Sequence, residues 1–166
     1  MIEVPFEKHG KLLSGTWALI SWEMFDSEED DKTLLSKPHG DSPLGRVVIS
    51  QSGYLSAILV PPMVMSQLAS DDWQLASDDD VLRIGRSFTS YCGPITLFER
   101  DDGGFLWHTT VEIAHNPNWI GKPQTRRVDH SVEGGADYMT LRPNKEYTLK
   151  DGRKARGILK WQKIAP

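Results

Sequence analysis

His108, Thr110 and Glu112 occupy alternate positions in the stretch HTTVEIAHNPNW, residues 108–119. Alternate residues of an extended strand share a face, so an imidazole, a hydroxyl and a carboxylate line up along one side. Glu112 and His108 are candidate general bases, because proton transfer needs a group that can be tuned toward neutral pH. The segment NPNWIGKP reads as a turn onto a second strand, QTRRVDHSV. A turn centred near Trp119 places Glu112 opposite Arg126, Thr110 opposite Val128 and His108 opposite His130; directly opposed side chains lie close enough to interact. Arg126 would then hold Glu112 ionised or stabilise an enolate or carbonyl oxygen. Tyr91 is a candidate donor to a substrate carbonyl.

Strands must position these groups. GTWALISWEMF is rich in aromatic and branched residues, and GRVVIS and YLSAILV flank the short turn QSG. SFTSYCGPITLFER and FLWHTTVEIAH flank DDGG, and QTRRVDHSV, YMTLRP and ARGILKWQKI follow. Short strands separated by turns indicate an all-β sandwich or barrel, and sequential hairpins favour the up-and-down barrel. Two stretches break this rhythm. One is the acidic loop DSEEDDKTLLSKPHGDSP. The other, residues 64–86, repeats QLASDD after seven residues. Ser70 and Ser77 suit helix N-caps there, so the spacing predicts a short helical segment, either a lid over a pocket or a solvated connector.

The 166 residues suit one domain, 1–166, with enough chain to bury a core unaided. A net charge of −4 argues against nucleic acid or an anionic membrane as partner. No apolar run is long enough to span a bilayer, and the N-terminus lacks a signal-peptide core, so a cytoplasmic protein is expected. The single Cys92 excludes an internal disulfide and reads as a buried small residue. The five histidines show no close metal-ligand spacing, so no metal is expected. Neither a nucleophile elbow nor a phosphate or dinucleotide loop occurs, so no cofactor is expected.

SGTW, with Gly15 and Trp17, resembles the Gly-x-Trp signature of lipocalins. LSGTWALISWE, PLGRVVISQSGYLSAIL, SYCG, VEIAHNPNWIGKPQTRRV and GILKWQK together resemble the lipocalin-like domain family of bacterial and fungal proteins, in order along nearly the whole chain. The resemblance implies an eight-stranded antiparallel up-and-down β-barrel with an internal cavity for a small, mostly apolar molecule. Some such proteins of secondary metabolism act as cofactor-free cyclases or isomerases. It also implies that Trp17 closes one barrel end beneath a basic side chain from the last strand, for which Arg156 and Lys160 are candidates. Family members often carry His just before VEI, where this chain has Thr109 and Thr110.

The direction each strand faces decides the chemistry. Trp107, Val111 and Ile113 occupy the other side of the His108 strand, and ordinary patterning would bury them and expose the charged set. Against this, an inward Trp17 also sends Leu19, Ser21 and Glu23 inward, unless a bulge intervenes. On the inward reading Ser21, Glu23, Ser56 and Thr110 join the pocket as ligand-binding groups, with His115 and Trp119 at its rim. The ligand would be an apolar or polycyclic small molecule of polyketide or terpenoid type. It would undergo cyclisation, isomerisation or dehydration, or else be carried or sensed without turnover. A homodimer is compatible with this reading, as is a barrel filled by its own side chains.

Overall fold

A computed structural model describes residues 1–29 and 32–166. Asp30 and Asp31 of the acidic loop lie outside the described residues. In chain order the elements are β1 (Ile2–Val4), α1 (Gly10–Leu13), β2 (Gly15–Asp26), β3 (Leu34–Ser36), β4 (Leu44–Ile49), β5 (Tyr54–Val60) and α2 (Asp78–Gly85). There follow β6 (Thr89–Glu99), β7 (Phe105–Thr110), β8 (Ile113–Ala114), β9 (Pro123–Glu133), β10 (Ala136–Pro143), β11 (Glu146–Thr148) and β12 (Lys154–Ala165). β2, β4, β5, β6, β7, β9, β10 and β12 pair antiparallel in that order, and β12 returns to pair with β2. The result is a closed eight-stranded barrel. β1 and β8 add to β6, β3 to β2 and β11 to β12, all outside the barrel circuit.

The period-two pattern of the sequence accounts for the interior. Val47 and Ile49 of β4, then Leu55, Ala57 and Leu59 of β5, are buried, while Arg46, Val48, Ser56 and Ile58 between them are exposed. Phe105, Trp107 and Thr109 of β7, Met139 and Leu141 of β10, and Leu159 and Trp161 of β12 complete the core. Such burial is worth about 1.5–3 kcal/mol per large apolar side chain.

One barrel end is plugged. Trp17 is fully buried, and its indole N–H donates to the Leu13 carbonyl at 3.1 Å. The cation stacked on its ring is Lys163, with Nζ 5.0 Å from the ring centre, rather than the expected Arg156 or Lys160. Lys163 also donates to the carbonyls of Leu12 and Lys11, at 2.9 and 3.2 Å, which ties β12 to the end of α1. Lys160 points outward instead, over the Tyr138 ring and paired with Glu133. The two-residue period of β12 selects Lys163, because Trp161, two residues earlier, also faces inward.

Gly15 is required at this end. Its φ is +114°, and a Cβ there would lie 2.5 Å from the Ala165 carbonyl oxygen. The segment between β5 and β6 forms short 3-10 turns (Pro62–Val64 and Trp73–Leu75) and α2. Ser77 caps α2 by accepting from the Asp80 N–H, as expected. Ser70 instead accepts from Asp72 N–H, and Asp72 caps the second turn.

Gly15→Ala should lower the unfolding free energy by roughly 2–3 kcal/mol through left-handed strain and the carbonyl clash. Denaturant titration checks this, and an unchanged midpoint would contradict the assigned role.

Candidate functional site

Away from the plugged Trp17 end, the barrel encloses a cavity of about 280 Å³. Its wall is mostly apolar: Trp22, Val47, Leu55, Ala57, Leu59, Leu141, Leu159 and Trp161 line it. Tyr91, Trp119, His115, Gln124, Arg126, Lys145 and Tyr147 add polar groups. A few polar groups on apolar walls are the usual composition of a small-molecule site.

Three strands and two loops deliver those groups. Tyr91 projects inward from β6, opposite Ala57 of β5. Its ring meets Trp119 edge-on, with centroids 5.9 Å apart. Trp119 ends the 3-10 turn Pro117–Trp119, which Asn116 caps by accepting from Asn118 N–H at 3.0 Å. His115 packs edge-on against Trp119 at 4.9 Å, and its other neighbour is Phe88, at 6.4 Å. The Ser90 N–H donates to His115 Nδ1 at 3.1 Å. The same Nδ1 lies 3.1 Å from the Ser90 carbonyl oxygen, so the Ser90 backbone engages Nδ1 and leaves Nε2 free in either tautomer. From the connector ahead of β6, Phe88 packs against His115 at this rim, and none of residues 61–88 lines the cavity.

Arg126 enters from β9, between Trp107 of β7 and Pro143 of β10. Its Nη1 donates to the Thr125 carbonyl at 2.8 Å. Among the described residues no carboxylate pairs with it. Its neighbour Arg127 points the other way and pairs with Asp102 at 2.9 Å. Arg100 and Arg142 share Asp129 on the same outer wall, at 3.0 and 2.6 Å. Burial pushes the Tyr147 phenol above its ordinary pKa, with the nearby Arg126 charge opposing the shift. The neutral phenol therefore persists at pH 7 as a hydrogen-bond donor.

The structure corrects the expected register between β7 and β9. Thr110 lies opposite Pro123, His108 opposite Thr125 and Trp107 opposite Arg126. The turn is therefore centred earlier than Trp119, and the offset separates Glu112 from Arg126. His108, Thr110 and Glu112 face away from the barrel interior. His108 hydrogen-bonds Thr125 Oγ1 at 2.7 Å and packs against Phe98. Thr110 is exposed. Glu112 accepts from the Tyr54 hydroxyl at 2.6 Å, beside Cys92, on the outer surface. Gly93 permits this path: a Cβ on it would sit 1.9 Å from the Thr110 carbonyl oxygen, so the chain leaving β7 crosses hard against it.

A bulge reverses the expected facing in β2. Leu19 lies opposite Trp161 and Ser21 opposite Lys160, with Ile20 as the extra residue. Trp17 and Leu19 face in before it; Trp22 and Met24 face in after it. Ser21 and Glu23 are thereby turned outward, as Ser56 is by plain alternation in β5. Of the residues singled out in the sequence, Tyr91, Arg126, His115 and Trp119 converge on the cavity. Ser21, Glu23, Ser56, His108, Thr110 and Glu112 do not. Trp22, Gln124, Lys145, Tyr147 and Trp161 are additions. Gln124 carried a signal that was missed, since it stands two residues before Arg126 on the same strand and shares its face.

A family model described as a lipocalin-like domain matches residues 14–164. The chain belongs to the lipocalin-like domain family. Searches of curated proteins and of solved structures gave no match. A lipocalin-like barrel takes a small hydrophobic ligand, and the cavity described above is where such a molecule would sit. No helix among the described residues is long and apolar enough to cross a membrane. Nor do three or more His, Cys, Asp or Glu side chains cluster there as a metal site would require.

Behind the lipocalin-like cavity wall, His39 is buried and packs edge-on against Trp22 at 4.6 Å. Its Nδ1 has no hydrogen-bond partner among the described residues. Burial lowers its pKa below the ordinary 6.5. The unfolded chain therefore takes up this proton before the folded chain does, and His39 draws stability down as pH falls from about 7 through 6.5 and below. In thermal melts from pH 7.5 to 5.5, His39→Gln should show a shallower loss of Tm than the wild type. Parallel curves would refute the assignment.

Proposed function

We propose that this lipocalin-like barrel binds a small, largely apolar cyclic molecule and promotes a cofactor-free isomerisation, cyclisation or dehydration of it. The observation that carries the reading is the meeting of Tyr91, His115 and Arg126 at one hydrophobic cavity. His115 would move the proton, through the ring nitrogen left free by the Ser90 backbone. Tyr91 would hydrogen-bond a ligand carbonyl. Arg126 would hold the oxygen on which charge develops, in a site where apolar walls strengthen the interaction. Confining the ligand between Trp119 and the barrel wall supplies orientation, which alone lowers the barrier of an intramolecular reaction. The cavity volume suits a ligand of one or two rings, of the polyketide or terpenoid kind, better than a large polycycle.

The second reading is a carrier or sensor with the same cavity and no turnover. It is favoured by the absence of any carboxylate from the cavity lining, which leaves the site without a second acid–base partner for His115.

Mass spectrometry of protein purified from its native host should detect a small organic molecule released on denaturation. Ala57→Phe, which fills the cavity, should abolish its retention without unfolding the barrel. With that molecule as substrate, His115→Gln should cut turnover by about 10²-fold or more while affinity changes little. Turnover that survives both His115→Gln and Tyr91→Phe would reduce the protein to a carrier. Failure of wild-type protein to retain or rebind any small molecule would remove the ligand-binding reading altogether.

A further inference from the structure

We infer that the ligand carries an oxyanion, a carboxylate or an acidic enol, and that it docks this group on Arg126. The inference rests on the cavity being a ligand site and assigns the chemical class that site takes. Two cations line the cavity, Arg126 and Lys145, and neither Asp nor Glu does. This contrasts with a chain whose net charge is −4. It also contrasts with the outer wall, where Arg100, Arg127 and Arg142 all have carboxylate partners. Arg126 Nη1 meets only the Thr125 carbonyl. A guanidinium offers five N–H donors in a planar fork, so most of its donor capacity is uncommitted among the described residues.

The remaining polar wall points the same way. Gln124, from the same face of β9 as Arg126, adds an amide whose NH₂ can donate to an oxyanion. Burial holds Tyr147 neutral, with its proton in place. A wall of donors and cations beside apolar surface matches a ligand with an apolar ring body and an acceptor-rich, anionic edge. A half-buried guanidinium is costly while unpaired, and a bidentate oxyanion relieves that cost. A neutral ligand of the same shape does not.

Calorimetric titration with 2-naphthoate and with the neutral ketone 2-acetylnaphthalene tests this on one ring skeleton. Wild-type protein should bind the naphthoate about tenfold to a hundredfold more tightly than the ketone. Arg126→Gln should erase that preference by weakening naphthoate binding far more than ketone binding, while Arg126→Lys should keep part of it. Far-UV circular dichroism of each variant establishes that it is folded, and the Lys variant carries the test if the Gln variant is not. Equal wild-type affinity for the two compounds, or a preference that survives in Arg126→Gln, would keep the cavity as a ligand site and overturn the oxyanion. Binding of neither compound to folded wild-type protein would overturn the ligand-site reading, and the docking role of Arg126 with it.

Discussion

Closure of β12 onto β2 is the constraint from which the other features follow. A closed barrel has no free edge and allows each residue two destinations, the lumen or the outer surface. Closure here is held by the Trp17 plug, the Lys163 cation over its ring and the carbonyls of α1 beneath. Once this end is shut, the barrel's remaining volume lies at the other end. The chemistry is decided there by which side chains the strands turn inward.

The partition of charge across the wall is what makes that volume a site. Outside, Arg100, Arg127 and Arg142 pair with Asp102 and Asp129 across the turn after β6, β9 and β10. Inside, a single strand contributes Arg126 without a carboxylate, and the loops add Lys145 and His115. A packing role alone would be served by an aliphatic residue at position 126, because a buried charge costs free energy that a leucine would not. Aromatic rings from β6 and the Pro117–Trp119 turn then define how a ligand could lie against that charge. The rim is built on capped turns and backbone hydrogen bonds rather than on the long connector before β6, so the site is largely preformed.

The barrel was legible because its signal is redundant. Hairpins flanking QSG and DDGG, alternation in GRVVIS and YLSAILV, and Gly-x-Trp all point to one architecture, and an error in any single strand would not have changed it. The site was legible only in part, because facing depends on single-residue events. The extra Ile20 in β2 inverted Ser21 and Glu23, and no residue type in ALISWE announces a bulge. The turn after β7 is offset from Trp119, which exchanged a Glu112–Arg126 pair for a Trp107–Arg126 pair. Tyr91 and Arg126 survived because each sits in a strand without irregularity between it and its buried neighbours. Tyr147 escaped notice because NKEYTLKDGRK reads as a connector, yet β11 pairs with β12 and carries it to the cavity.

Arg126 faces the lumen while Arg127 and Glu112 face solvent, and the site depends on that division. Single cysteines at these three positions, in a Cys92→Ser background, report this directly through the rate of labelling by a bulky maleimide under native conditions. Arg127→Cys and Glu112→Cys should react rapidly, and Arg126→Cys should react far more slowly until denaturant is added. Rapid labelling at 126 with protection at 112 or 127 would mean that the strand faces the other way, and the site described here would not exist.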